Sequence, residues 1–219
     1  MRNLVAGRNV QACTADTRNS LLVRPGDIGA DSERARILFD GEGEIAHQLA
    51  GLLRRELAED VMIGRCAADE LDLELRGGEF RRVPGLVVLF SPVAASSIRA
   101  GLWRNARVPH LPVVYDTNRV TVGPVVVPGA PCLRCLDLHR CDKDPSWPLF
   151  LARLDHGIPS PQVEPTACAL GAGLAALMIR NLWLEERHLP GVSLEVALPE
   201  PTVIQRRWSF HARCDCVQS

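Results

Sequence analysis

Lysine is almost missing from this 219-residue sequence: Lys143 stands alone among 25 basic residues, the rest being arginine. Acidic residues number 26, so the formal net charge is -1 and there is no excess of positive charge to attract nucleic acid or an anionic membrane. The start, Met1-Arg2-Asn3-Leu4-Val5-Ala6-Gly7, gives way to polar residues instead of an apolar run, so no export signal is expected and the cytoplasm is the expected location. Long hydrophobic runs are lacking too. The longest, Ala167 to Ile179, stops at Arg180 and predicts a buried helix, too short to span a bilayer. There is no internal repeat and no low-complexity segment. No Ser-His-Asp, Cys-His or paired-carboxylate arrangement can be assembled, and the six histidines are scattered, so no catalytic residue is assigned.

What is present is a hydrophobic fraction of 47%, enough for one sizeable core or two small ones. Residues 1–34 show little periodicity and read as an N-terminal arm with one short strand at Ser20-Leu21-Leu22-Val23. Residues 35–219 read as an α/β domain. Arg36 to Asp40 predicts a strand, Glu44 to Leu57 has helical apolar spacing, and Val61-Met62-Ile63 predicts a second strand. Leu71-Asp72-Leu73-Glu74-Leu75 alternates like a half-exposed strand. Leu86 to Phe90 is uniformly apolar, as suits a strand covered on both faces of a parallel sheet. Ala94 to Asn105 is helical and Leu111 to Tyr115 extended.

Val120 to Gly129 predicts a strand bent at Gly123-Pro124, followed by a turn and a helix starting at the cysteines. Trp147 to Arg153 is a short helix. A longer one begins near Pro165, which suits a helix's first turn, and reaches Glu186. Two late strands, Val192 to Ala197 and Thr202 to Trp208, lead into the terminal cysteines.

Eight cysteines without an export signal point to metal or free thiols more than to disulfides. Cys132-x-x-Cys135 and Cys214-x-Cys216 form two pairs that can grip one tetrahedral zinc ion from two sides. Four thiolates leave no open coordination position, so the expected metal is structural. The alternatives are a redox pair at Cys132 and Cys135, or four buried thiols. Cys141, His139 and His211 lie close enough in sequence to substitute as ligands. Cys13, Cys66 and Cys168 read as ordinary thiols.

Asp40-Gly41-Glu42-Gly43-Glu44-Ile45-Ala46 occupies the place of a dinucleotide-type phosphate loop, after a first strand and before a helix. Its chemistry opposes that use. Glu42 and Glu44 set two carboxylates where phosphates would meet the helix start, and like charges near 4 Å repel by about 4 kcal/mol at a surface-like dielectric. The second strand runs into Gly64-Arg65-Cys66, where a ribose-binding acid would be expected. The plainer reading is a helix with favourable acids in its first turn. Binding of ATP and Mg²⁺ is therefore not expected, and Arg54 and Arg55 read as a solvated face. Asp116 is the best single candidate for a functional carboxylate, and a turn at Asp116-Thr117-Asn118 explains it equally well.

The stretch from Val122 through Pro128-Gly129-Ala130-Pro131-Cys132-Leu133-Arg134-Cys135 to Pro148, together with His211-Ala212-Arg213-Cys214-Asp215-Cys216, resembles the ThiF-like proteins of peptide natural-product biosynthesis. These are the cyclodehydratase partner proteins, or precursor leader-peptide-binding proteins, of thiazole/oxazole-modified microcin pathways. The resemblance implies a Rossmann-like, mostly parallel sheet with a zinc-binding C-terminal part, a homodimer, and work beside a YcaO-type enzyme on a precursor peptide. The family's leader-binding winged helix precedes the ThiF-like part, and an arm of 34 residues is too short to hold it.

The leading expectation is a non-catalytic partner protein in azole-type peptide modification, with no independent catalysis. The alternatives are an ATP-dependent adenylyltransferase acting on a peptide or carrier C-terminus, and a zinc-stabilised regulatory dimer module. For the regulatory module, Ala167-Cys168-Ala169-Leu170-Gly171-Ala172-Gly173 would let another helix approach closely, although intramolecular packing is the commoner use of such small residues.

Overall fold

The computed structural model describes residues 36–56, 61–64, 68, 69, 73, 84–155, 160–183, 190–200 and 202–218. The N-terminal arm with its strand at Ser20 to Val23 lies outside them. The element order is β1 (Ile37–Asp40), α1 (Glu44–Glu56), β2 (Val61–Ile63), β3 (Leu86–Pro92), α2 (Ser97–Asn105), β4 (His110–Tyr115) and β5 (Arg119–Val122). Then come α3 (Leu133–Lys143), α4 (Trp147–Asp155), α5 (Pro165–Trp183), β6 (Val192–Ala197), β7 (Val203–Arg207) and a 3₁₀ turn at Asp215–Gln218.

The strands form one seven-stranded sheet in the order β2-β1-β3-β4-β5-β6-β7. Pairings from β2 to β4 are parallel, and those from β4 to β7 are antiparallel. The parallel strands are mostly apolar, with Asp40 at the end of β1, Ser91 in β3 and His110 at the start of β4 as the polar exceptions, because both faces are covered. Ile37, Phe39, Leu86, Val88 and Phe90 join one core with residues of α1 and α5, while Leu38, Val87 and Leu89 join another with residues of α2 and α3. The antiparallel side is less covered: all five residues of β7 are exposed.

Helix α5 lies against β5 so closely that a Cβ on Gly171 would stand 2.6 Å from Val120 Cγ1, so only glycine fits. The expected buried helix is buried on one side only. It runs 19 residues, long and apolar enough by composition alone to cross a membrane, and its outer side leaves Leu170 and Leu177 exposed. Residues 184–189, where the helix was expected to end, lie outside the described residues.

Three expectations change. Within Leu71 to Leu75 only Leu73 is described, and it is helical and 69% exposed, because a short alternation of leucine and acid also fits a solvated helical turn. Helix α2 starts at Ser97 instead of Ala94, since Val93 takes φ 64° and Ser96 caps the helix, its Oγ accepting from Arg99 N at 3.3 Å. The strand expected from Val120 to Gly129 ends at Val122. Beyond the bend at Gly123, with φ 91°, only Val126 bridges back, to His110.

Candidate metal centre and glycine-loop cavity

Helix α3 begins immediately after Cys132, whose extended backbone makes it the N-cap, and one turn on Cys135 faces the same core. The segment after β7 brings Cys214 and Cys216 to that helix start. The four sulfurs lie within 4.8 Å of one another, and three of the cysteines are buried. Cys132 Sγ is 4.0 Å from Cys135 Sγ and 3.6 Å from Cys214 Sγ, and Cys135 Sγ is 3.3 Å from Cys216 Sγ. These separations are far beyond a disulfide bond, about 2.05 Å. They bracket the roughly 3.8 Å edge of a tetrahedron with zinc–sulfur bonds of about 2.3 Å, so the quartet could hold a metal ion such as zinc.

The surroundings suit thiolates. His211 N–H donates to Cys135 Sγ at 3.5 Å, and Arg104 Nη1 donates to Cys132 Sγ at 3.9 Å. Burial alone would raise the Cys132 thiol, but hydrogen bonds from the Cys135 backbone, Cys214, Cys216 and Arg104 outweigh it and leave the group lowered. Its place at a helix N-terminus acts in the same direction. Burial pushes Cys214 up to about 11 and raises Cys216 as well. A bound dication would reverse that preference by making thiolates of both.

The substitute ligands are not in the quartet. His211 donates through Nε2 to Asp142 Oδ2 at 2.8 Å and accepts at Nδ1 from Arg213 N at 3.1 Å, so both ring nitrogens are used elsewhere. His139 Nε2 donates to Ser209 O at 3.0 Å, and Cys141 is a half-buried free thiol outside the cluster. Cys168 is a buried thiol raised chiefly by burial; Cys13 and Cys66 lie outside the described residues.

The glycine loop follows β1 at the carboxyl end of the parallel strands, where β1 sends its crossover one way and β3 lies on the other side. Gly41 and Gly43 both have φ 125°, and Gly41 packs against Phe90, where a Cβ would come within 2.9 Å. A cavity of about 450 Å³ opens beside the loop, lined by Glu42, Glu44, Gln48, Phe90, Tyr115 and Ser160 among others. Glu44 accepts from Gln48 Nε2 at 2.7 Å, and the Tyr115 and Ser160 hydroxyls lie 3.3 Å apart. Both carboxylates expected to face a phosphate therefore border the cavity.

Asp116 does not reach this cavity; its Oδ1 accepts from the backbone N–H groups of Asn118 and Arg119 at 3.2 and 3.1 Å, which makes it a turn cap. Arg54 and Arg55 are exposed on α1, as expected, with Arg54 donating to Val61 O at 3.3 Å. Sequence reasoning missed two groups. Asp40, only 3% exposed at the root of the loop, pairs with Arg99 of α2. His110, 1% exposed at the start of β4, has no partner for Nε2 among the described residues. A charged or imidazole side chain inside an apolar strand was the only available signal.

Neither family models nor curated proteins give a match. Solved structures do. Against E. coli MccB with ATP the TM-score is 0.59 at 12% identity, covering 84% of this chain and 67% of that one; with MccB and SeMet MccA it is 0.55 at 12%, covering 83% and 66%. The chain has the fold of E. coli MccB. The MccB-like fold is also that of a chain in the E. coli microcin synthetase McbBCD complex, with TM-score 0.57, 15% identity and coverage of 84% and 68%. A heterocyclase in complex with substrate and cofactor gives 0.58 at 14%, with 84% of this chain matching 25% of that one. This chain thus spans about two thirds of the length of MccB and a quarter of the heterocyclase.

Proposed function

We propose that this chain is a non-catalytic partner protein in the modification of a ribosomally made peptide, working as a homodimer beside a YcaO-type cyclodehydratase. The observation that carries this reading is the pair Glu42 and Glu44 on the rim of the glycine-loop cavity, set where an adenylating relative would present phosphate-binding groups. The fold shared with a microcin synthetase complex and a heterocyclase supports the setting. Cys132, Cys135, Cys214 and Cys216 would hold zinc. The ion would supply a cross-link between the start of α3 and the segment after β7, and no step of chemistry. The exposed apolar side of α5, with Leu170 and Leu177, supports association of two copies.

A second reading, ATP-dependent adenylation of a peptide or carrier C-terminus, draws on the cavity's place at the carboxyl ends of the strands and on the likeness to MccB solved with ATP. ATP–pyrophosphate exchange with purified protein and candidate peptides separates the two. The partner reading expects no exchange, together with co-purification of a YcaO enzyme. Exchange abolished by Gly41→Ala would overturn it.

A further inference from the structure

The second cavity of interest lies at the opposite end of β4 from the glycine loop. Arg104, Arg107, His110, Asp215, Cys132 and backbone of the segment 126–130 border a hollow of about 440 Å³. A neighbouring one of about 350 Å³ shares Arg104, His110 and Cys132 with it. Its volume is many times the roughly 30 Å³ share of a water molecule and within the range of small-ligand pockets.

His110 is the informative wall residue. Its Nδ1 lies 3.0 Å from Val108 O, so that nitrogen carries the proton and donates. Nε2 is then an acceptor, and it is buried with no donor among the described residues. An unmatched buried acceptor beside empty space calls for a ligand that brings an N–H or O–H.

Two cations stand next to it. Arg104 is partly engaged, donating to Asp215 at 3.2 Å and leaning on Cys132. Arg107 has no acid within ion-pair distance among the described residues. It occupies the left-handed position that closes α2, with φ 58°, while Arg107 N donates to Arg104 O at 3.0 Å and Val108 N donates to Trp103 O at 2.9 Å. Glycine satisfies that closing turn with less strain. The residue present instead puts an arginine on the cavity wall.

We infer that this cavity binds the C-terminal end of a peptide, with Arg107 and the free donors of Arg104 taking the carboxylate and His110 Nε2 accepting the last amide N–H. A carboxylate and an N–H one residue apart match that pairing of cations and acceptor, and the hollow has room for the residues before them. The inference does not rest on the partner role, because binding here needs neither a YcaO enzyme nor ATP.

The test is calorimetric titration of the zinc-supplied full chain with N-acetyl-Ala-Ala-Ala. Three comparison ligands are its C-terminal amide, an analogue with the last amide N–H replaced by an ester oxygen, and acetate. Saturable one-to-one binding is expected, weakened on the order of tenfold by amidation and several-fold by the ester. Arg107→Gly should bind on the order of tenfold more weakly while melting no lower than wild type, which separates lost binding from lost folding. His110→Phe should bind peptide and ester alike. No saturable binding, equal binding of the amide or the ester by wild type, or acetate competing as well as the peptide would each overturn the inference.

Discussion

Arg99 of α2 reaches the carboxylate of Asp40 at the end of β1 and so ties a helix to the root of the glycine loop. Asp40 is almost fully buried, while the Arg99 side chain is 31% exposed and also pairs with Asp69 at 2.9 Å. Burial alone would lower Arg99, but hydrogen bonds and attraction from Asp40 and Asp69 leave it raised.

Removing Arg99 alone therefore strands a buried carboxylate. Arg99→Met should cost about 2 kcal/mol, less than a fully buried pair because Arg99 is partly solvated. Asp40→Asn with Arg99→Met should cost less than the two single changes added together. Urea unfolding of the four proteins in a double-mutant cycle measures this, and strict additivity would rule the coupling out.

The two loop glycines should respond differently. Gly41→Ala meets both a left-handed φ and the Phe90 Cβ at 2.9 Å, whereas Gly43→Ala meets the same φ with open space around it. Gly43→Ala should cost about 1 kcal/mol, and Gly41→Ala clearly more, seen as a larger fall in melting temperature. Equal falls would mean that Phe90 moves aside freely.

Zinc uptake should release protons. With Cys214 at about 11 and Cys216 raised as well, the metal-free protein holds both protons at neutral pH. Apparent zinc affinity should fall as pH falls, by about tenfold per pH unit for each proton displaced. Competition with a chromogenic chelator at pH 6 and 8 checks the slope, and Cys214→Ser should lower the zinc content from one per chain. The same raised thiols mean that the metal-free fold loses stability as pH rises from 9 toward 11.

His110 should make the fold acid-sensitive. Burial lowers its pKa to about 4, a carbonyl contact from Val108 opposes that, and Arg104 adds to it. Below the unfolded value of 6.5 the unfolded chain takes up a proton that the folded chain refuses, so stability is lost as pH falls from 6.5 to about 4. The loss is about 3 kcal/mol at most. Denaturant midpoints at pH 7 and 4.5 should differ less in His110→Gln than in wild type.

Much of the fold was legible where burial leaves a periodic mark. The unbroken apolar run Leu86 to Phe90 is β3 between two cores, and Val192 to Ala197 is β6 residue for residue. The two cysteine pairs announced a shared site because thiols at such spacings serve few other ends. Asp40 with Arg99 could not be read, since their 59-residue separation leaves no local pattern. The antiparallel half of the sheet was equally hidden, because Val120 to Val122 and Val203 to Arg207 are too short to declare direction.

Among the described residues strand β7 ends the sheet with β6 as its neighbour, leaving a row of backbone donors and acceptors on which a foreign strand could grow. Val203 and Ile204 make that border adhesive, while Arg207 gives it a positive charge that repels its own kind, Arg206 being paired with Glu195 at 3.0 Å. Concentrated stocks in high salt, where that repulsion is screened, should therefore accumulate β-rich aggregates sooner than stocks in dilute buffer.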